Sequence, residues 1–294
     1  MAQIGLTRYT VLVVAVVAVL AALTPVDAGA QWAHDRGQNI VPVFEGWEPN
    51  PDGTFSMVFG FFNRNCQETL HIPAGPNNSI EPGGPDQGQP TRFFPRRAEF
   101  VFKVPVAADF GDNELVWTLT AHGKTETAYA SLTPEYVLDR QITMMNEASY
   151  GQRLGESDNQ YPVVELEGPA ERTVAVGEPL ELTAMVSDDG LPEPRSDRRH
   201  LAKLMAGWMV YRGHDEHVTF DPPQFNPDLR RRAGASPLCQ GIEPVPEWAT
   251  TLLAEDGTLR TTATFSEPGT YVLRALAHDI ALKSSIAVTV TVTD

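Results

Sequence analysis

The chain of 294 residues carries little positive charge and lacks the local signatures of common enzymes. It contains no GxSxG segment, which would place a nucleophilic serine on a sharp turn, and no glycine-rich loop of a nucleotide-binding site. Its 22 lysines and arginines are outnumbered by 38 aspartates and glutamates, for a formal net charge of −16. Such an acidic protein binds poorly to nucleic acids and anionic membranes. We therefore expect no enzyme activity, no cofactor and no nucleic-acid partner.

Long apolar runs are confined to the N-terminus. Arg8 precedes an apolar run from Val11 to Leu23, and small residues follow at positions 28–30. This order is typical of a secretory signal peptide, and an uncleaved membrane anchor is the alternative. We expect a signal peptide at residues 1–30 and no transmembrane segment after its cleavage. The mature protein is then expected in the periplasm or at the cell exterior.

Cysteine is scarce as well, since the chain has only Cys66 and Cys239. An exported chain meets oxidising conditions, so one disulfide between these residues is chemically allowed. The bond requires the two Cα atoms to lie within about 7 Å of each other, and the sequence alone does not establish this. The sequence therefore leaves open whether Cys66 and Cys239 are joined.

Alternating apolar residues recur through the first half of the mature chain. Met57, Phe59 and Phe61 have the period of two that places side chains on one face of a strand. Several further short strands, separated by turn signals, indicate a β-sandwich at residues 31–138. Trp117 lies in one of these strands and is predicted to belong to the core.

Proline and glycine interrupt this pattern at residues 72–95, which we call the proline-glycine loop. Proline cannot donate to a β-ladder, so the segment is predicted to run over the surface. Two interpretations stay open. The loop either presents a binding site to a partner or covers an exposed sheet edge.

A second sandwich is predicted at residues 161–294, after a linker at residues 139–160. Tyr271 follows a Glu-Pro-Gly turn at the start of a strand, as the tyrosine of a tyrosine corner does. Trp208 occupies the place of the core tryptophan of an immunoglobulin-like domain. Residues 221–256 are predicted to be an insertion. The predicted fold is all-β, with two immunoglobulin-like β-sandwich domains in tandem after the signal peptide.

Both halves resemble known groups of proteins. EGW, NPDGTFSMVFGFFNRN and LVWTLTAHGKT in the first half resemble a family of uncharacterised secreted bacterial proteins, which implies a domain identity without an activity. The order PLELTA, DDG, VTF, TTATFSEPGTYVLRA and VTVTV in the second half resembles PKD-like and related immunoglobulin-like modules of bacterial surface proteins. Modules of this type are usually spacers or domains that bind proteins and glycans, and the resemblance implies such a role here.

Two clusters contain side chains of types that bind metals. The His-Asp-Glu-His sequence at residues 214–217 lacks the HExxH spacing of a helical zinc site and is predicted to be a solvated turn. Asp188, Asp189 and Asp279 are weak candidates for calcium ligands, because carboxylates at one end of a sandwich can converge on a hard cation. The Asp-Asp-Gly sequence is equally typical of an ordinary turn.

The insertion holds the densest run of positive charge. Arg230, Arg231 and Arg232 are candidate binding residues for an acidic partner, and a solvated loop is the alternative. Trp248 lies in the same insertion and is a candidate for stacking on sugar rings. Trp32 and Trp47 are the other members of this possible sugar platform.

The leading functional hypothesis is a non-catalytic interaction or structural protein that is secreted or resides in the envelope. Its partner would be an envelope protein or a polysaccharide. A carbohydrate-binding module or accessory subunit is the alternative, and a hydrolase with its site in residues 221–256 is the third hypothesis.

Overall fold

Most of the regular secondary structure in the described part of the chain is β-strand. The computed structural model describes residues 34–147, 158–191, 204–226 and 252–294, together with Cys239 and Ala249. Within these ranges the strands are β1 (Ile40–Pro49), β2 (Phe55–Asn63), β3 (Leu70–His71), β4 (Asn78–Glu81), β5 (Arg92–Phe93), β6 (Arg96–Val106), β7 (Leu115–Ala121), β8 (Lys124–Ala130), β9 (Val163–Leu166), β10 (Glu171–Ala175), β11 (Leu180–Ser187), β12 (Met205–Arg212), β13 (Val218–Asp221), β14 (Thr258–Phe265), β15 (Gly269–His278) and β16 (Lys283–Thr293). The all-β prediction is confirmed. The signal peptide lies outside the described residues and stays a prediction.

The first sandwich packs two three-stranded antiparallel sheets on each other, with the strand orders β1-β2-β6 and β4-β7-β8. In the core between them, Phe59 stacks on Phe102 and meets Trp117 edge to face, with ring centroids 5.3 and 5.7 Å apart. Met57, Phe61 and Trp117 are fully buried. The predicted core face of β2 and the predicted core tryptophan are therefore confirmed.

The second sandwich has the strand order of an immunoglobulin domain. One sheet has the order β9-β11-β14-β13 and the other has β10-β16-β15-β12. All neighbouring strands are antiparallel except β10 and β16, which are parallel. The two sheets correspond to the ABED and GFC sheets of an immunoglobulin sandwich, with β10 added at the edge of the second. Trp208 on β12 is buried between the sheets, as predicted.

A tyrosine corner fixes the turn between β14 and β15. The hydroxyl of Tyr271 donates a hydrogen bond to the carbonyl of Glu267 at 3.1 Å. The Tyr271 ring packs against Phe265, with centroids 4.9 Å apart. One side chain thus joins the turn to the core, as the sequence predicts.

Replacing Tyr271 by phenylalanine is expected to lower the free energy of unfolding by about 1 kcal/mol, because the ring stays in the core while one hydrogen bond is lost. Urea denaturation followed by tryptophan fluorescence measures the change. Tyr129→Phe is the matched control, since Tyr129 is 60% exposed. An unchanged midpoint for Tyr271→Phe would mean that the corner contributes nothing to stability.

The predicted linker contains the single α-helix of the described residues, α1 (Arg140–Glu147). The Asp139 carboxylate caps it by accepting a hydrogen bond from the Ile142 N–H at 2.7 Å. Just before the helix, the Leu138 N–H donates to the carbonyl of Trp47 at 2.7 Å, which anchors the segment to β1. No helix in the described ranges is both long enough and apolar enough to cross a membrane.

Candidate functional site

The two sandwiches meet where the end of β12 packs on the proline-glycine loop. The Tyr211 hydroxyl donates to the carbonyl of Gly88 at 2.7 Å, and Arg212 Nε donates to the carbonyl of Gln89 at 2.8 Å. Both Nη atoms of Arg212 also bind the Asp86 carboxylate, at 2.6 and 3.1 Å. The middle of the loop is therefore an interdomain contact. Most of residues 81–88 nevertheless stay exposed, so both sequence interpretations of the loop stay predictions.

A β-bulge in β6 supplies a second contact between the sandwiches. Its pairing with β2 shifts register here, and Phe100 has a φ of +47°, in the left-handed region. A bulge leaves backbone groups outside the ladder, where they can accept other hydrogen bonds. Arg274 Nη1 donates to the carbonyl of Val101 at 2.8 Å, and Lys283 Nζ donates to the carbonyl of Glu99 at 2.6 Å. Two cations of the second sandwich are thereby fixed at the junction.

A cleft of about 420 Å³ lies between the sandwiches beside these contacts. Its walls include Arg92 and Lys103 from the first sandwich and Arg274 and Lys283 from the second. No carboxylate is among the described residues that line it. Tyr161, which is 37% exposed, adds an aromatic surface to the wall. The arrangement suits a ligand that has negative charge and an apolar face.

Carboxylates outside the cleft lining neutralise part of this positive charge. Lys103 forms an ion pair with Glu48 at the rim, and Arg92 forms one with Asp215. The Arg274 guanidinium lies over the Tyr211 ring, 3.3 Å from its centroid, in a cation–π contact that holds its position and leaves its charge. A fixed guanidinium loses little freedom when it binds a carboxylate or sulfate group.

The turn at residues 214–217 also belongs to the junction. His71 Nε2 and Arg92 Nη2 lie 2.7 and 2.6 Å from the two carboxylate oxygens of Asp215. Burial acts to raise the pKa of Asp215, but the His71 hydrogen bond and the Arg92 guanidinium outweigh it and hold this pKa well below its ordinary value. His214 and Glu216 in this turn are exposed, whereas Asp215 is half-buried and held by His71 and Arg92. Across the described ranges, no three His, Cys, Asp or Glu side chains are grouped to hold a metal.

The depressed pKa of Asp215 makes the junction sensitive to acid. A carboxylate of this kind stabilises the fold above its unfolded pKa of about 3.9, and the contribution is lost as the pH falls toward the folded-state value. We expect Asp215→Asn to unfold at a lower temperature than the wild type at about pH 6, and the difference to shrink below about pH 4.

Thermal unfolding across this pH range tests the prediction. Glu135→Gln is the control for net charge, because it also removes one carboxylate, an exposed one. A difference between Asp215→Asn and wild type that stays constant at every pH would contradict the prediction.

Polar groups from three segments converge at one end of the second sandwich. Asp279 follows β15 and is 2% exposed. Its Oδ1 accepts hydrogen bonds from the N–H groups of Ala281 and Leu282 at 2.7 and 2.6 Å. Asp188, which follows β11, lies close enough to act on the charge of Asp279, and the fully buried amide of Asn159 lies against the same carboxylate.

The surroundings of Asp279 and Asp188 disfavour the charged form of both carboxyl groups. Burial raises the pKa of Asp279 to about 6, and the negative charge of Asp188 adds to the shift. Burial also raises the pKa of Asp188. Asp189 has another role, since its carboxylate accepts from the N–H groups of Gln160 and Leu191 at 2.8 and 2.9 Å. The structure thus brings Asp188 and Asp279 together and uses Asp189 to hold the backbone.

Four predicted binding residues lie outside the described part of the chain, and their role stays a prediction: Arg230, Arg231, Arg232 and Trp248. Trp32 lies outside it as well. Trp47 is half-buried and its Nε1 donates to the carbonyl of Thr133 at 2.8 Å, so its ring is held in the first sandwich. This position does not suit a sugar platform.

Cys66 and Cys239 form a disulfide, with their Cα atoms 5.5 Å apart. Both cysteines are buried. The bond joins the first sandwich to the predicted insertion at residues 221–256 of the second.

No pattern in the sequence predicts the residues of the cleft. Arg274 lies in an otherwise apolar strand. An arginine in such a strand is equally well explained by a position that faces solvent. Lys103 and Lys283 have no distinguishing neighbours in the sequence. Asn159 lies in the predicted linker, where a polar residue is ordinary.

No protein-family model matches the chain, and no curated protein matches its sequence. Among solved structures, it is similar to the D00–D0 domain of intimin, at 13% identity over 87% of this chain and 100% of that chain, with a TM-score of 0.25. It is also similar to domains 4 and 5 of the S-layer protein SbsC, at 8% identity over 65% of this chain and 69% of that chain, with a TM-score of 0.25. The complex of titin M10 with the obscurin-like 1 Ig domain shows 17% identity over 45% of this chain and 93% of that chain, with a TM-score of 0.21. Values this low say nothing about a partner, and the immunoglobulin-like assignment rests on the strand order above.

Proposed function

We propose that the protein is a non-catalytic binding protein of the cell envelope or cell exterior, and that an acidic polysaccharide binds in the cleft between its sandwiches. The observation that supports this most directly is the group of Arg and Lys side chains on the cleft wall of a chain with a net charge of −16. Cations gathered in a cleft focus positive potential there and attract anionic groups, even on an acidic protein.

The junction around the cleft supports a preformed site. Arg212 is bound to Asp86, and Asp215 is bound to both His71 and Arg92, so ion pairs join the walls on either side. A binding site whose walls are already fixed loses less conformational entropy when its ligand binds. We therefore expect ligand binding without a large movement between the sandwiches.

A carbohydrate-binding module that takes neutral sugars is the second candidate function. Tyr161 favours it, because an exposed aromatic ring in a cleft can pack on the C–H face of a sugar. The two candidates differ in their response to salt. Binding through cations weakens as ionic strength rises, whereas stacking on a neutral sugar does not.

The first experiment is co-sedimentation of the exported chain, residues 31–294, with insoluble polysaccharide from the envelope of its host, at low and high salt. We expect retention at low salt and release at high salt. Retention at both salt concentrations would favour the neutral-sugar candidate, and no retention at either would refute both.

Replacing Lys103 by glutamine tests whether the cleft is the site. Its side chain is 52% exposed, so the substitution removes a rim charge without disturbing the core. We expect about fivefold weaker binding to the polysaccharide at low salt. Lys124→Gln removes an exposed lysine from β8, outside the cleft lining, and should leave the affinity unchanged. Equal affinities for the two variants would place the ligand elsewhere.

A further inference from the structure

The carboxylate pair at the end of the second sandwich has oxygens that the protein leaves without hydrogen bonds. Asp279 Oδ1 is held by two backbone N–H groups, whereas Asp279 Oδ2 is buried without a partner. Asp188 repeats this pattern. Its Oδ2 accepts from the Gly190 N–H at 3.0 Å, and its Oδ1 is buried without a partner.

Asn159 is a third and independent sign of a missing group. Its side chain is 0% exposed, and neither its Oδ1 nor its Nδ2 has a hydrogen-bond partner. The amide lies beside the carboxylate of Asp279 and acts to lower the pKa of that group, so it faces the same small space. A fully buried amide is costly when unpaired, and native proteins almost always satisfy it.

Asp279 Oδ2 and Asp188 Oδ1 therefore lie near the buried Asn159 amide in a space of negative charge. Among the described residues, the neighbours that act on the Asp279 carboxylate are Asp188, the Asn159 amide and two backbone N–H groups, with no lysine or arginine. The buried carboxylate of Asp279 and the half-buried carboxylate of Asp188 repel each other, and burial without a counter-charge is unfavourable. A cation between them would remove both costs.

We propose that Asn159, Asp188 and Asp279 form a binding site for a hard divalent cation, Ca²⁺. Calcium prefers carboxylate and amide oxygens and accepts irregular geometry, with carbonyls or water completing its shell. Zinc prefers nitrogen and sulfur ligands, which these three side chains do not offer. The site has only two carboxylates and depends on the oxygen of an asparagine. Within the described ranges, no third His, Cys, Asp or Glu side chain joins these two carboxylates.

The proposed cation site lies close in sequence to two residues of the cleft. Asn159 lies two residues before Tyr161, and Asp279 lies four residues before Lys283, and both Tyr161 and Lys283 line the cleft. A cation bound at Asn159 and Asp279 would tie the entry of the second sandwich to the turn before β16. The cation would thereby restrict the movement of Tyr161 and Lys283 in the cleft.

The test is thermal unfolding and titration calorimetry of the exported chain, residues 31–294, at about pH 8, after removal of divalent ions with a chelator. The probes are CaCl₂ and, separately, MgCl₂. We expect a single calcium site with a Kd of roughly 10⁻⁴ to 10⁻³ M, the range of extracellular modules. At about ten times this Kd, calcium should raise the melting temperature by about 3 to 5 °C.

Asp279→Asn and Asp188→Asn each remove one carboxylate of the site. Asp279 is buried and Asp188 only half-buried, so the second substitution disturbs the fold less. Each should abolish the calcium-induced shift, while relief of repulsion leaves the calcium-free protein as stable as the wild type or more so. Asp256→Asn is the control, because Asp256 is an exposed turn carboxylate of the same sandwich and asparagine can still accept the hydrogen bond from Thr258 N–H. It should keep the full shift.

Three results would overturn the proposal. The first is a wild-type protein that gives neither heat nor a shift with calcium. The second is a shift that survives in both Asp279→Asn and Asp188→Asn, which would indicate general screening of an acidic surface. The third is an equal response to magnesium, which would exclude a site selective for calcium.

Discussion

Replacing Cys66 and Cys239 together by alanine is expected to lower the free energy of unfolding by about 5 kcal/mol, the largest effect we predict. The disulfide joins residues 173 positions apart in the chain. A cross-link over so long a loop removes much of the entropy of the unfolded chain, and the loss grows with the logarithm of loop length. Guanidinium denaturation of the double variant and of the oxidised wild type measures the difference.

Wild-type protein in the presence of a reducing agent is the control for the alanine substitutions themselves. It should unfold near the midpoint of the double variant, because both lack the same cross-link. Alanine leaves only small cavities at these buried positions, so packing contributes little to the difference. A double variant as stable as the oxidised wild type would contradict the prediction. It would mean that the denatured chain is already compact around these residues.

Local periodicity was enough to predict which residues form the two cores. On β11, Leu182, Ala184 and Val186 are buried, whereas the alternate positions Glu181, Thr183 and Met185 are exposed or half-buried. Alternation is a reliable signal here because successive side chains of a strand point to opposite faces. The tyrosine corner at Tyr271 was predictable for a related reason. The turn residues before it and the strand after it are adjacent in sequence.

The junction was not predictable in the same way, because its contacts join residues far apart in the chain. Periodicity shows that one face of a strand is covered, but it does not show what covers it. Arg274 and Lys283 bind carbonyls that a bulge in β6 exposes, and no pattern in either segment records this pairing. The composition of the proline-glycine loop predicted that it forms no ladder, and this is wrong for residues 78–81, which pair with β7 as β4. The composition also gave no sign that Arg212 would bind the loop.

A buried asparagine holds that loop in the shape that the junction needs. Asn78 Nδ2 donates to the carbonyls of Ile72 and Pro90 at 2.9 and 2.8 Å, so it ties the two ends of the loop together. Asn78 Oδ1 accepts from Trp117 Nε1 at 3.0 Å, which fixes the amide to the core of the first sandwich. Between these ends lies Gln89, whose carbonyl binds Arg212. The amide therefore links the core of one sandwich to its contact with the other.

Replacing Asn78 by alanine is expected to lower the free energy of unfolding by about 3 to 5 kcal/mol, because it removes three hydrogen bonds and leaves two carbonyls and an indole N–H buried without partners. Asn77→Ala is the matched control. Asn77 is the exposed neighbour, and its backbone bond to Thr120 does not need the side chain. Urea denaturation measures the loss, and hydrogen exchange in the proline-glycine loop should rise in Asn78→Ala alone, since the loop ends are no longer joined. If exchange in the loop stayed at the wild-type rate, Arg212 and Asp86 would be holding the loop without help from the core, and the junction would be independent of Asn78.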